Sequence, residues 1–193
     1  MNITEIAKQV WLQSHQFEFG QSEAWPENLF TKTWADAQEP AVPWRTYTAG
    51  WYWFLVDMEF ADLHSLQRPS LPEKGGDIGT LSHENAETFG PELLCKSHAN
   101  GELVVYNGHE GSVCDRVRSH FWLNNNRTGA LGLKHFSLHH QRWEVRVFAQ
   151  PCLSSVPVEM RDRVQLLMNS KSGRCAVETA WRSVYGWPVL CKE

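Results

Sequence analysis

No stretch of this 193-residue chain is long and apolar enough to cross a bilayer, which argues against a membrane-spanning helix. A basic-then-apolar segment is absent from the N-terminal region, so no secretory leader is read and a cytoplasmic location is expected. Cysteine is sparse: Cys95, Cys114, Cys152, Cys175 and Cys191 are odd in number and widely scattered. They make no disulfide framework and read as reduced thiols. Cys95-x-x-His98 and His139–His140 with Cys152 lack a second paired motif at closed-site spacing, so chance is favoured over structural zinc. Internal repeats and low-complexity tracts are missing too. Nor is there a net positive charge: the formal value is −4, which speaks against a nucleic-acid binder as long as the chain is taken whole.

Divided, the chain reads differently. Residues 1–115 carry 6 Lys and Arg against 17 Asp and Glu, whereas residues 116–193 carry 12 against 5. The basic half fits a polyanion partner, because Lys and Arg contacts to phosphate supply most sequence-independent nucleic-acid affinity. A solubilising acidic surface on the other half is the plainer account of the asymmetry. Ten tryptophans imply bulky packing, and the length is ample for one hydrophobic core with elaborations.

Periodicity supplies the elements. Asn2–Leu12 is an amphipathic helix with Ile3, Ala7, Val10 and Trp11 on one side. Residues 13–48, broken by Pro26, Pro40 and Pro43, are expected to be irregular and pinned by Trp25, Trp34 and Trp44. Gly50–Val56 is apolar on both faces and predicts a central strand, with Tyr52, Phe54 and Val56 opposite Trp51, Trp53 and Leu55. Residues 60–101 show no sustained period and read as a long inserted loop. Glu102–Tyr106 predicts a second strand, Thr128–Leu138 a short helix and Trp143–Ala149 a third strand. Two helices follow, one starting at Pro157 and one led by Gly173 and ended by Gly186 and Pro188.

Between the second strand and the short helix lies Leu103–Phe121, LVVYNGHEGSVCDRVRSHF. After Gly111, Ser112 and Asp115 form a capping-box pattern, and Val113, Val117 and Phe121 make one buried stripe. Arg116 and His120, four apart, share a neighbouring face. On these residues alone, a solvated helix face with an incidental basic pair accounts for the pattern.

Tyr106-Asn107-Gly108, with Arg116 ten residues after the tyrosine and His120 four after that, resembles the second half of the GIY-YIG nuclease signature. Gly50-Trp51-Tyr52 is similar to its first half, Arg127–Leu133 to the short helix that follows, and Glu178 to the late acidic residue. Asn107 replaces the usual apolar middle residue, His109 follows the glycine, and the late asparagine of many relatives is either replaced by Cys191 or missing. The resemblance implies an α/β (α+β) fold: a small three-stranded antiparallel sheet flanked by helices. Residues 49–193 would form the nuclease domain, with an insertion at about 60–101, and residues 1–48 an N-terminal extension.

Its implied chemistry is hydrolysis of DNA phosphodiesters. Arg116 would stabilise charge on the scissile phosphate. Tyr52 or Tyr106 would be the general base, with His120 orienting it or relaying a proton. Glu178 would hold one Mg²⁺ (or Mn²⁺) that keeps most of its waters. His109, Arg118, Arg127, Lys134, Arg142 and Arg146 are expected to bind nucleic acid, setting register without reading sequence. Plainer accounts stand beside these roles. Tyrosines in apolar strands are usually core, Glu178 four before Arg182 is an ordinary ion pair, and Arg142 and Arg146 lie on a strand's exposed face. The expected activity is a restriction-type endonuclease on double-stranded DNA, able to act as a homodimer on palindromic sites. Its rivals are a homing, repair or toxin nuclease, and an inactive nucleic-acid-binding module of the same fold.

Overall fold

The computed structural model describes residues 2–38, 48–67, 69, 75–96, 102–123 and 129–192. Its elements are α1 (Ile3–Leu12), β1 (His15–Gly20), α2 (Lys32–Asp36), β2 (Gly50–Val56), α3 (Phe60–Ser65), α4 (Ile78–Leu93), β3 (Leu103–Glu110), α5 (Val113–Trp122), β4 (Arg142–Ala149), α6 (Val158–Asn169) and α7 (Lys171–Tyr185). Short 3₁₀ turns stand at Leu133–His135 and Gln150–Ser155. The architecture is mixed α/β: a four-stranded antiparallel sheet of order β1-β4-β2-β3, flanked by helices.

Every residue of β2 is buried, as its two-sided apolar pattern demands of an inner strand covered on both faces. Tyr52, Phe54 and Val56 face a core shared with Val113, Val117 and Phe121 of α5 and with Trp143, Val145 and Val147 of β4. Trp51, Trp53 and Leu55 face a second core made with Ile6, Val10 and Trp11 of α1, Met160 and Val164 of α6, and Val177 and Trp181 of α7. Each fully buried side chain of this size contributes about 1.5–3 kcal/mol.

The sheet has one strand more than the sequence pattern predicts. His15–Gly20, read as part of an irregular segment, pairs with β4 from His15↔Val147 to Gly20↔Arg142. HQFEFG is a six-residue edge strand whose alternation rests on two phenylalanines, a weak period-2 signal. Phe17 and Phe19 then pack against Phe30 and Trp34. Trp25 and Trp34 do pin this region to the core, and Trp44 lies outside the described residues.

The segment read as an inserted loop is also structured, since it carries α3 and α4. Asp77 caps α4 through Thr80 N, and the helix breaks at Gly90, φ +66°, ahead of Pro91. Proline chemistry there masked the helical period. The short helix expected over Thr128–Leu138 reduces to the 3₁₀ turn at Leu133–His135, because Gly129 and Gly132 both take positive φ.

Beyond α7 the chain turns back along the free edge of β3. Trp187 bridges to Leu94, Trp187 N donates to Leu93 O at 2.7 Å, and Leu190 N donates to Val105 O at 2.8 Å. Asn85 of α4 donates to Val189 O at 2.8 Å and Cys191 O at 2.9 Å. An edge strand left open would template pairing with another chain, and the 187–191 segment covers this one.

Candidate active site

In the β2–β3 register Tyr52 stands opposite Gly108 and Phe54 opposite Tyr106. Side chains two apart share a face, so Tyr52 and Tyr106 emerge on the α5 side, their ring centroids 6.1 Å apart. Gly108 lets them meet: a Cβ there would lie 2.5 Å from the Tyr52 hydroxyl. From α5, His120 reaches both phenols, with its ring 4.4 Å from Tyr106 and its Nε2 3.0 Å from the Tyr52 hydroxyl. Arg116, one turn earlier, hydrogen-bonds Tyr52, and Tyr52 hydrogen-bonds Tyr106.

Ser112 occupies the N-cap of α5, yet its hydroxyl bonds the Asp115 carboxylate at 2.9 Å rather than a backbone N–H. Val113, Val117 and Phe121 are fully buried as their spacing predicts, and so is His120. The Arg116–His120 pair is therefore no solvated face. Arg116 alone reaches outward, to Gly129 O at 3.4 Å.

Burial decides the protonation states. It pushes Tyr52 and Tyr106 up, against the opposing pull of Arg116, so both phenols are protonated at neutral pH. His120 is driven well down, first by burial and then by Arg116, and is neutral. The direction of the Tyr52–Nε2 hydrogen bond follows the imidazole tautomer: when Tyr52 donates, the imidazole hydrogen is on Nδ1, which has no partner among the described residues. A resting phenolate base is thus disfavoured. The array can instead pass a proton along Tyr106, Tyr52 and His120 without leaving a phenolate behind.

A cleft of about 230 Å³ opens on this array, lined by Tyr106, Arg116, Gly129, Leu131, Leu190 and Lys192. Glu178 does not line it. It sits on α7, which packs against the other face of the sheet, and there it borders a separate cleft of about 560 Å³ with His109, Arg182, Phe89 and Trp187. Four of the five expected catalytic side chains come together and the carboxylate does not, although its charge reaches both phenols.

Glu178 is also occupied. Arg182 Nη2 holds its Oε1, while His109 Nε2 stands 3.7 Å from Oε2. Burial raises the Glu178 carboxyl, opposed by Arg182. His109 falls to about 4 through burial and the charge of Arg174, so it is a neutral neighbour. One carboxylate already neutralised by a guanidinium does not fit a resident Mg²⁺ or Mn²⁺. No group of three or more His, Cys, Asp or Glu suited to a metal occurs among the described residues.

Most of the expected phosphate anchors have structural partners. Arg142 pairs with Glu102 at 3.3 Å and Asp57 at 3.9 Å, and Arg146 pairs with Glu144 and lies over Trp11. Arg118 donates to Leu29 O and Glu27 O, tying α5 to the segment before α2. Lys134 stands over Trp122, 4.5 Å from the ring centroid. Arg127 lies outside the described residues. The residues that sequence reasoning passed over are Lys192 and Asn85, which depend on how the C-terminal segment folds back; the ion pair read from the i,i+4 spacing of Glu178 and Arg182 is present.

Asn107 and Cys191, two of the three positions that depart from the resemblance, are in contact. Asn107 N donates to Cys191 Sγ at 3.3 Å, and Arg182 Nε donates to Asn107 Oδ1 at 2.9 Å. Together they fasten the C-terminal segment and α7 to β3. No family model, curated protein or solved structure matches the chain.

Proposed function

We propose that this chain is a DNA endonuclease of GIY-YIG type that hydrolyses phosphodiester bonds at the Arg116 cleft. The observation that carries the reading is the hydrogen-bonded array of Arg116, Tyr52, Tyr106 and His120, which runs from a solvent-open cleft to a fully buried imidazole. Strands β4, β2 and β3 would be the three-stranded sheet of that fold, with β1 added at its edge.

On this reading Arg116 binds the non-bridging phosphate oxygens and stabilises the charge that builds on them. Water in the cleft gives its proton to Tyr106 as the Tyr106 proton moves to Tyr52 and the Tyr52 proton to His120. The oxygen of that water forms the new P–O bond, and the bond to the leaving oxygen breaks. The leaving alkoxide recovers a proton from solvent, and His120 returns its own along the same line. No step is taken through a metal ion, because Glu178 is held by Arg182 in the other cleft.

A second reading has an observation of its own. The separation of Glu178 from Arg116 favours a nucleic-acid-binding module that has lost catalysis. Supercoiled plasmid incubated with the protein, in EDTA and in Mg²⁺ or Mn²⁺, separates the two. Cleavage that falls about 100-fold or more in Arg116→Ala, and clearly in Tyr106→Phe, supports the nuclease. Discrete fragments would mark a restriction-type enzyme and a smear a non-specific one. Retention of intact plasmid under all three conditions favours the binding module and ends the nuclease proposal.

A further inference from the structure

The Arg116 cleft has a second cation on its rim. Lys192 lines it together with Arg116 and has no ion-pair partner among the described residues. Its backbone is held in place rather than trailing. The residue before it accepts hydrogen bonds at its carbonyl from Asn85 Nδ2 at 2.9 Å and Trp187 Nε1 at 3.2 Å. The Cys191 thiol is seated against Asn107, and Leu190 is hydrogen-bonded to β3. Trp187 in turn is stacked on Phe89 of α4 at 4.5 Å between ring centroids. The inserted helix α4 thus grips the C-terminal segment through Asn85 and Phe89, at the point where the segment delivers its lysine to the cleft.

We propose that Lys192 is a phosphate-binding residue that forms, with Arg116, a two-cation cradle for one nucleic-acid phosphate, and that Asn85 is the positioning residue that holds it there. The proposal rests on the nucleic-acid reading of the cleft. The two cations divide the work by their chemistry: the guanidinium offers a planar fork fixed by the tyrosines, while the ammonium is a point charge with freely turning donors. Lysine at this place adds affinity without sequence preference, since a phosphate carries no base information. Asn85 contributes no charge of its own. Its effect on binding passes through the backbone of residues 189–191.

The test is the salt dependence of affinity for a short DNA duplex, measured on the full chain. Lys192→Met is expected to weaken binding about five- to tenfold at low salt and to lower the slope of log affinity against log salt by about one. Lys192→Arg restores both. Asn85→Ala weakens binding in the wild-type background but adds nothing to Lys192→Met, because the two act as one unit. Lys8→Met, on α1, serves as a control for generic loss of charge, and urea midpoints establish that each variant is folded. A slope unchanged in Lys192→Met while Arg116→Ala lowers it overturns the cradle and leaves the reading of the cleft intact. Equal losses in Lys192→Met and Lys8→Met overturn it as well. Failure of the wild-type protein to bind duplex at low salt overturns the reading of the cleft, and the cradle with it.

Discussion

Gly108 in β3 and Gly111 in the turn after it carry opposite expectations, and their contrast tests the geometry on which the site depends. A Cβ on Gly108 would stand 2.5 Å from the Tyr52 hydroxyl oxygen, 2.7 Å from its Cζ and 3.3 Å from Tyr106 Cε1. Comfortable heavy-atom contacts lie near 3.5 Å, so the phenol would have to retreat by about 1 Å. Tyr52 has nowhere to go: it is 1% exposed, packed on Phe54 and Tyr106, and its hydroxyl is bonded to His120. Overpacking costs about 1–3 kcal/mol, and a buried imidazole that loses its partner costs a comparable amount. Gly108→Ala is therefore expected to destabilise the fold by roughly 2–4 kcal/mol. For a chain of this size that lowers the melting midpoint by about 5–15 °C. Around Gly111 nothing lies within 4 Å of the added carbon, and Gly111→Ala should stay within about 0.5 kcal/mol of wild type. Urea unfolding followed by tryptophan fluorescence, with slopes compared between variants, reads both numbers. A Gly108→Ala protein as stable as Gly111→Ala would refute the close seating of Tyr52 against β3.

Arg182→Met strips Glu178 of its guanidinium partner, leaves Asn107 Oδ1 with only the Cys191 thiol as donor and removes the cation over Trp187. A cost of about 3–5 kcal/mol is expected, much of it recovered by adding Glu178→Gln, and a double variant no more stable than the single would contradict the pairing. For pH, His109 and His120 both have folded-state values below the ordinary 6.5, so the unfolded chain takes up protons first. Their contribution to stability is complete above about pH 6.5 and is lost as pH falls toward the folded value, near 4 for His109. The loss is at most about 1.4 kcal/mol per pH unit for each histidine. Because Glu178 and Glu144, both raised by burial, act in the opposite sense, the comparison is between variants. Urea midpoints of His109→Asn should fall less steeply between pH 7 and 4.5 than those of wild type, and parallel profiles would show that His109 is not held neutral.

Much of the sheet was legible because its signals are strong and local. The doubly apolar GWYWFLV could only be an inner strand, and the alternation of WEVRVFA set which residues share a face, although the face read as exposed is covered and Arg146 lies over Trp11. The turn at Gly111 and the stripe Val113–Val117–Phe121 fixed α5, and with it the place of Arg116 and His120. What escaped lay where tertiary contacts override local pattern. β1 owes its existence to pairing with β4, and α4 hides behind Gly90–Pro91. Fixed offsets along a strand, turn and helix survive folding, so the Tyr–Arg–His cluster could be assembled from sequence. Glu178 lies too far along the chain for any offset to govern it, and the side of β3 on which α7 packs is a topological fact that spacing does not encode.

That topology bears on how the proposed chemistry must work. His120 is an intrinsically poor base while it is buried beside Arg116, because an imidazolium there meets both a low dielectric and a like charge. A phosphodiester bound at Arg116 brings a negative charge to that guanidinium and offsets the repulsion. Base strength at His120 and phosphate occupancy at Arg116 are then coupled, and by linkage the coupling is reciprocal. The array would stay inert toward water until a phosphate is seated, then become competent within the same cleft. The order matters for specificity, since an imidazole that became basic without a bound phosphate could gain nothing by it. Placing the base at the closed end of a phenol pair, with the cation at the open end, couples proton removal to phosphate binding without a carboxylate from α7 in the cleft.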